Sequence, residues 1–119
     1  MKRPSSAFLL DIKLACASVN SFVQGFDLNR YLADELVRAG VERKLLNIGE
    51  ALSQLARQDP ELALRVPRYQ RLIGFRNVLV HGYSGLNDIE IWRALHDNMP
   101  GLQTAVEALL QELAQPPSP

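Results

Sequence analysis

The sequence predicts an all-α domain, an antiparallel bundle of four to five helices. Three observations carry the prediction. Apolar residues recur in alternating steps of four and three along most of the chain. No stretch sustains the period-two alternation of a half-buried strand. The connectors marked by Gly25, Asp59-Pro60 and Pro67 are short, which makes successive helices antiparallel neighbours. With 119 residues, 47% of them hydrophobic and 22% charged, the chain is sized for a single core. We assign residues 1–114 to one helical domain and residues 115–119 to a disordered, proline-rich tail.

The elements follow in order. Ser5 or Ser6 caps a first helix running to about Gln24, whose apolar positions Phe8, Ile12, Ala15, Val19 and Phe22 form one face that Gly25 ends. Asp27 or Asn29 caps a short second helix containing Tyr31. From about Asp34 to Gln58, Val41, Leu45, Ile48, Leu52 and Leu55 make a strict seam suited to packing nearly parallel to a neighbour. Gly40 and Gly49 lie within it, and an interior Gly costs roughly 1 kcal/mol against Ala, so each marks a place where another backbone comes close. Glu61 to Pro67 is a connector holding up to one helical turn. Arg68 to Val80 is the next helix, and Asp88 opens a last long pattern carrying Ile91, Leu95, Met99, Leu102, Val106, Leu109 and Leu113. Pro100 falls inside that pattern, lacks the amide hydrogen, and predicts a kink or break.

The charges narrow the function. Thirteen basic and thirteen acidic residues cancel, so no whole-protein field drives indiscriminate nucleic-acid binding. Any bound anion must be met locally, and one stretch is equipped for it. From Leu62 to Asn87 there is no Asp or Glu but there are four arginines, Arg65, Arg68, Arg71 and Arg76, a local charge of +4. Cys16, the single cysteine, sits in an apolar repeat with no basic neighbour in sequence, the setting of a buried structural thiol. Neither a signal-peptide core nor an apolar run of membrane-spanning length is present, which makes the cytoplasm the expected location.

Within the basic stretch, Arg76-Asn77-Val78-Leu79-Val80-His81-Gly82-Tyr83 gathers residues suited to phosphate chemistry. Arg offers a planar fork of donors matched to phosphate oxygens, and His exchanges a proton near neutral pH. A ribose 2′-hydroxyl beside a scissile phosphodiester needs both, a base for the hydroxyl and a cation for the charge building at phosphorus. No His/Asp/Glu cluster has metal-ligand spacing, in keeping with a metal-free route that needs no cofactor. At about 100° per residue, Tyr69, Leu72, Ile73 and Val80 fall within about 60° of Arg76 while His81 falls about 140° away. Two arrangements bring Arg76 and His81 together: a helix ending at His81-Gly82, or a second copy of the chain across a two-fold axis. Read from spacing alone, a His at a helix end is more often a cap than a base, and a run of arginines more often a solvated face.

The motif resembles the Arg-x4-His-x-Tyr signature of HepT-type toxins of the HEPN superfamily. The likeness extends to Ile48-Gly49-Glu50-Ala51 in the long helix, to Leu86 to Trp92, and to Met99-Pro100-Gly101-Leu102, covering most of the chain from about Ala7 to Ala114. The resemblance implies an all-helical HEPN fold, a homodimer with two motif copies at one cleft, and metal-independent endoribonuclease activity on tRNA or mRNA. Arg76 and His81 match the catalytic pair, and Asn77 a supporting position. Tyr83 matches the tyrosine to which a minimal nucleotidyltransferase antitoxin of the HepT/MntA type attaches AMP. Glu50 stands where it can orient Arg76 or His81 from the neighbouring helix, and Arg65, Arg68 and Arg71 are candidates for the RNA backbone. Two departures stand outside the motif: Asn87-Asp88 after the Tyr segment, either of which can cap the next helix, and Gly40 where Ala is common. A second reading is a non-catalytic HEPN module that binds a nucleotide or the nucleotidyltransferase partner through the same basic stretch.

Overall fold

The 24-residue helix α3 (Glu35–Gln58) is the element against which most of the molecule packs. The structure, a computed structural model, describes residues 2–81 and 88–115, with the backbone alone for residues 78, 80 and 81. Around α3 stand α1 (Ser5–Phe22), α2 (Leu28–Ala33), α4 (Pro60–Leu64) and α5 (Tyr69–His81), while α6 (Asp88–Asp97) rests on α2 and on α7 (Met99–Ala114). The described residues contain no strand. Five of these helices are the predicted bundle elements; α2 and α4, of six and five residues, are turns of helix in the connectors.

Three aspartates articulate the chain. Asp27, Asp34 and Asp59 accept hydrogen bonds through Oδ1 from the amides of Arg30, Val37 and Leu62 at 2.8, 3.0 and 3.1 Å. Asp34 and Asp59 each do a second job, since their own amides donate to Tyr31 and Leu55, the last turns of the helices before them. One residue thus closes one helix and opens the next, so a sharp corner still satisfies a terminal amide of the helix that follows. The start of α1 differs from expectation. Pro4 occupies its N-cap without any side-chain cap bond, and Ser5 is already helical. The helix also stops at Phe22, and Gly25, with φ +77°, completes the turn that follows.

Long-range bonds give the helix directions. Gln58 at the end of α3 donates to the carbonyl of Arg3 and to Ser5 Oγ, while Gly40 near its start faces the ring of Phe22, so α1 and α3 are antiparallel. Asn20 Nδ2 donates to Gln103 Oε1 at 2.9 Å, joining the end of α1 to the start of α7. The predicted seam is the core: Val41, Leu45, Ile48, Leu52 and Leu55 are buried against Phe8, Leu9, Ile12, Val19, Leu102, Val106 and Leu109. At Gly40 the close neighbour is a side chain, the Phe22 ring at 3.2 Å from where a Cβ would sit, and not the backbone its position suggested.

The last pattern breaks at Asn98. Pro100 sits in the first turn of α7, where its missing amide hydrogen is tolerated. The Asn98 amide still donates to Ala94 and its carbonyl accepts from Leu102, so the break is confined to one residue. At the opposite corner, the fully buried Tyr31 ring lies 5.0 Å from that of Trp92, which in turn lies 4.5 Å from His96. His96 itself is exposed. Arg38 donates to the carbonyls of Tyr31 and Leu32 and pairs with Asp88 at 3.5 Å, tying the end of α2 to the start of α6.

Cys16 is buried, as its setting predicted, and that burial pushes its thiol up to about 12. Burial, reinforced by Asp88 and Glu42, likewise raises the Tyr31 hydroxyl. Both groups hold their protons more tightly when folded, so the Cys16 contribution is lost as pH climbs from about 9 toward about 12, and that of Tyr31 only from about 10 upward. The midpoint of urea unfolding should therefore fall between pH 8.5 and pH 11 measured at constant salt, and less steeply in Cys16→Ala. Truncating Leu52, fully buried in the seam, should cost about 2–5 kcal/mol in the same assay. The same change at Leu36, 82% exposed, should stay within about 0.5 kcal/mol.

Candidate active site

The site begins with a missing side chain. A Cβ on Gly49 of α3 would stand 2.2 Å from Arg76 Cβ, 3.0 Å from Arg76 Cγ and 3.0 Å from the Leu72 carbonyl oxygen. No residue but glycine allows α3 and α5 to approach this closely, and the approach is centred on the stem of Arg76. The apolar stripe of α5 explains the seating. Leu72 is buried, Tyr69 and Ile73 are packed on the core, and Arg76 continues their line.

Once its stem lies against glycine, the Arg76 guanidinium reaches the next residue of α3. Nη2 pairs with Glu50 Oε2 at 2.8 Å, and Nη1 donates to Asn77 Oδ1 at 3.0 Å. Glu50 is held from behind, its Oε1 accepting from Gln54 Nε2 at 3.2 Å one turn along α3. The side chains of Arg76 and Glu50 are 30% and 40% exposed, so the pair is half in water. Arg76 Nε is buried with no hydrogen-bond partner among the described residues, which leaves the remaining Nη hydrogens as the donors that an incoming anion would meet. Glu50 also lines a cleft of about 340 Å³ between α1 and α3, together with Asp11, Leu14, Ser18, Lys44 and Asn47.

The other predicted site residues are distributed unevenly. His81 is the last residue of α5, and the backbone stays helical from Arg76 to His81. Gly82 and Tyr83, and with them the expected glycine C-cap and the modification position, lie outside the described residues. The arginines do not converge on Arg76. Arg65 makes a two-pronged pair with Glu112 of α7, at 2.9 and 2.6 Å, and this pairing holds the Glu112 carboxyl below its ordinary range. Arg68 donates to Asn98 Oδ1, and Arg71 lines a separate cleft beside α6. Gln54 was missed in the sequence, although its spacing of four residues from Glu50 signals a same-face neighbour on a helix. Among the described residues, no group of three or more His, Cys, Asp or Glu side chains is placed to hold a metal.

The comparisons with known proteins agree with this architecture. Residues 12–109 match the family described as ribonuclease HepT-like. The chain is 32% identical over 106 residues to "Putative RNase MJ1380" of Methanocaldococcus jannaschii, covering 89% of this chain and 96% of that protein. It is 30% identical over 112 residues to "Putative RNase TTE0752" of Caldanaerobacter subterraneus, covering 94% of this chain and 98% of that protein. To "Probable ribonuclease HepT" of Thermococcus cleftensis it is 27% identical over 109 residues, covering 92% and 98%. No solved structure matches the chain significantly. The chain belongs to the HepT-like ribonuclease family, and the all-helical fold is that of the family.

Among the described glycines, Gly49 should tolerate an added methyl least. The clash with Arg76 Cβ can be relieved only by moving α5, at a cost of about 1–3 kcal/mol in urea unfolding. Gly101→Ala, where nothing lies within 4 Å of the added methyl, should be neutral or gain up to about 1 kcal/mol.

Proposed function

We propose that this member of the HepT-like ribonuclease family is the toxin of a toxin–antitoxin pair. It acts as a metal-independent endoribonuclease on tRNA or mRNA, as a homodimer in which two copies of Arg76 and His81 share one cleft. It is silenced when a minimal nucleotidyltransferase antitoxin attaches AMP to Tyr83. The observation that supports this reading is the half-exposed Arg76 guanidinium, oriented by Glu50 and Asn77, five residues before His81 on the same helix.

The chemistry needs only the chain's own groups. The His81 imidazole takes the proton from a ribose 2′-hydroxyl, whose oxygen forms a bond to the adjacent phosphorus while the bond from phosphorus to the 5′-oxygen breaks. The leaving oxygen takes a proton back from the imidazolium, and the products are a 2′,3′-cyclic phosphate and a 5′-hydroxyl. Arg76 neutralises charge building on the phosphoryl oxygens. Glu50 and Asn77 each hold one Nη of the guanidinium, limiting the rotations available to a long side chain and leaving the remaining Nη hydrogens for the substrate. Because α5 is helical through His81, about 140° separates the directions of Arg76 and His81 on one copy, which favours a site completed by a second copy. AMP on Tyr83, two residues beyond His81, would add negative charge and bulk where the substrate's phosphates approach.

Purified protein in chelator should cleave RNA and leave cyclic phosphate ends. Arg76→Ala and His81→Ala should each reduce the rate by about 10²-fold or more. Expression of the wild-type chain alone should arrest growth, and expression of either variant should not. Intact RNA across a broad substrate panel, with both variants as toxic as wild type, would refute the reading. Variants that instead lose nucleotide or partner binding, with no cleavage to lose, would identify a binding module.

A further inference from the structure

The four arginines of the acid-free stretch are divided by the fold, and the division defines a second basic site. Arg65 is taken out by its two-pronged pair with Glu112. Arg68 and Arg71 instead line a cleft of about 340 Å³ between the start of α5 and the outer face of α6, where Arg93 joins them. Among the described residues neither Arg71 nor Arg93 has a hydrogen-bond or ion-pair partner, although carboxylates stand nearby on α6 in Glu90 and Asp97. Arg68 keeps most of its donors free after one bond to Asn98.

The backbone at the mouth of this cleft is set by Arg68 and the first turn of α5. Arg68 holds φ +57°, the only non-glycine residue with positive φ among those described, a conformation that is costly for a branched-off side chain unless its surroundings demand it. That turn starts α5, with the Arg68 carbonyl accepting from the amides of Arg71 and Leu72. The first turn of α5 contains no acidic residue, so the positive end of a 13-residue helix opens beside three guanidinium groups. Phe75, partly buried, supplies apolar lining to this cleft.

We propose that Arg68, Arg71 and Arg93 form a phosphate-binding subsite for the RNA backbone, flanking the position at which the chain is cut. The subsite rests on the reading of this protein as a ribonuclease. Arg71 and Arg76 are separated by about 7.5 Å of rise and about 140° around one helix, so a strand that touches both must cross α5 and not run along one face of it. Planar guanidinium forks without carboxylate partners suit phosphate oxygens, and the contribution of Arg93 from another helix fixes the strand's direction across α5. Sequence inspection could not assign Arg93 to this group, since it lies 22 residues from Arg71 and among acidic neighbours.

The test is salt-dependent binding of a short single-stranded RNA with 2′-O-methyl riboses, which cannot be cleaved, followed by fluorescence anisotropy. The double variant Arg71→Gln/Arg93→Gln should bind roughly 10-fold more weakly at moderate salt and lower the slope of log K against log salt by about 1.4, near 0.7 per lost phosphate contact. The paired Lys substitutions should restore most of the slope, and Lys13→Gln on α1 should leave it unchanged. If wild type cleaves RNA while the double variant keeps its affinity and slope, the subsite is wrong and the ribonuclease reading stands. If the double variant loses the slope but wild type cleaves nothing, the subsite stands and the ribonuclease reading fails. Absence of RNA binding by wild type, or displacement of the probe by polyglutamate as readily as by unlabelled RNA, would overturn the assignment.

Discussion

The crossing of α3 and α5 at Gly49 is the constraint on which the rest of the site depends. An arginine on an apolar helix stripe is costly unless its stem is covered and its head is paired. Gly49 covers the stem by withdrawing its own side chain, and Glu50, the next residue, pairs the head. Two adjacent residues of α3 therefore solve both halves of one problem. The pair is half exposed, so most of the desolvation cost of a buried ion pair is avoided, and the guanidinium keeps an edge toward water. A site that must be stable without a ligand and still accept one is well served by that compromise.

The same economy governs the acid-free stretch. Its charge is spread over three surfaces: Arg65 braces α7 through Glu112, Arg68 and Arg71 open a cleft toward α6, and Arg76 turns to α3. A net charge of zero thus coexists with local positive surfaces, because the compensating acids lie on other elements. Arg38 shows the converse, a cation that is consumed structurally, since it satisfies carbonyls at the end of α2 and holds Asp88 at the start of α6. Which arginine serves structure and which remains available to a ligand follows from the carboxylates that the fold brings near each one.

Much of the fold was legible because it is written in local rules. The seam of α3, the Asp27 cap, the helix end at Asp59-Pro60 and the break before Pro100 each depend on residues within four positions of one another. The start of α1 was misread for an equally local reason. Ser5 and Ser6 are competent caps, but Pro4, with φ −65° and an extended ψ, already supplies the entry geometry and moves the boundary one residue earlier. Gly40 and Gly49 look alike in sequence, yet one faces a phenyl ring and the other the stem of an arginine.

The chain alone carried an all-helical bundle, its seams, the HepT-like motif from Arg76 onward and the likeness to the family it belongs to. The bundle and its seams follow from periodicity and short spacing, and the likeness rests on the identity of particular residues; a chain carries both whatever its partners. Only the tertiary structure decided that Gly49 admits Arg76, that Gln54 backs Glu50, that Arg65 is spent on Glu112, and that Arg93 stands with Arg68 and Arg71. Each of those facts depends on how separate helices are packed. Helical spacing says which residues share a face, and only the packing says what that face meets.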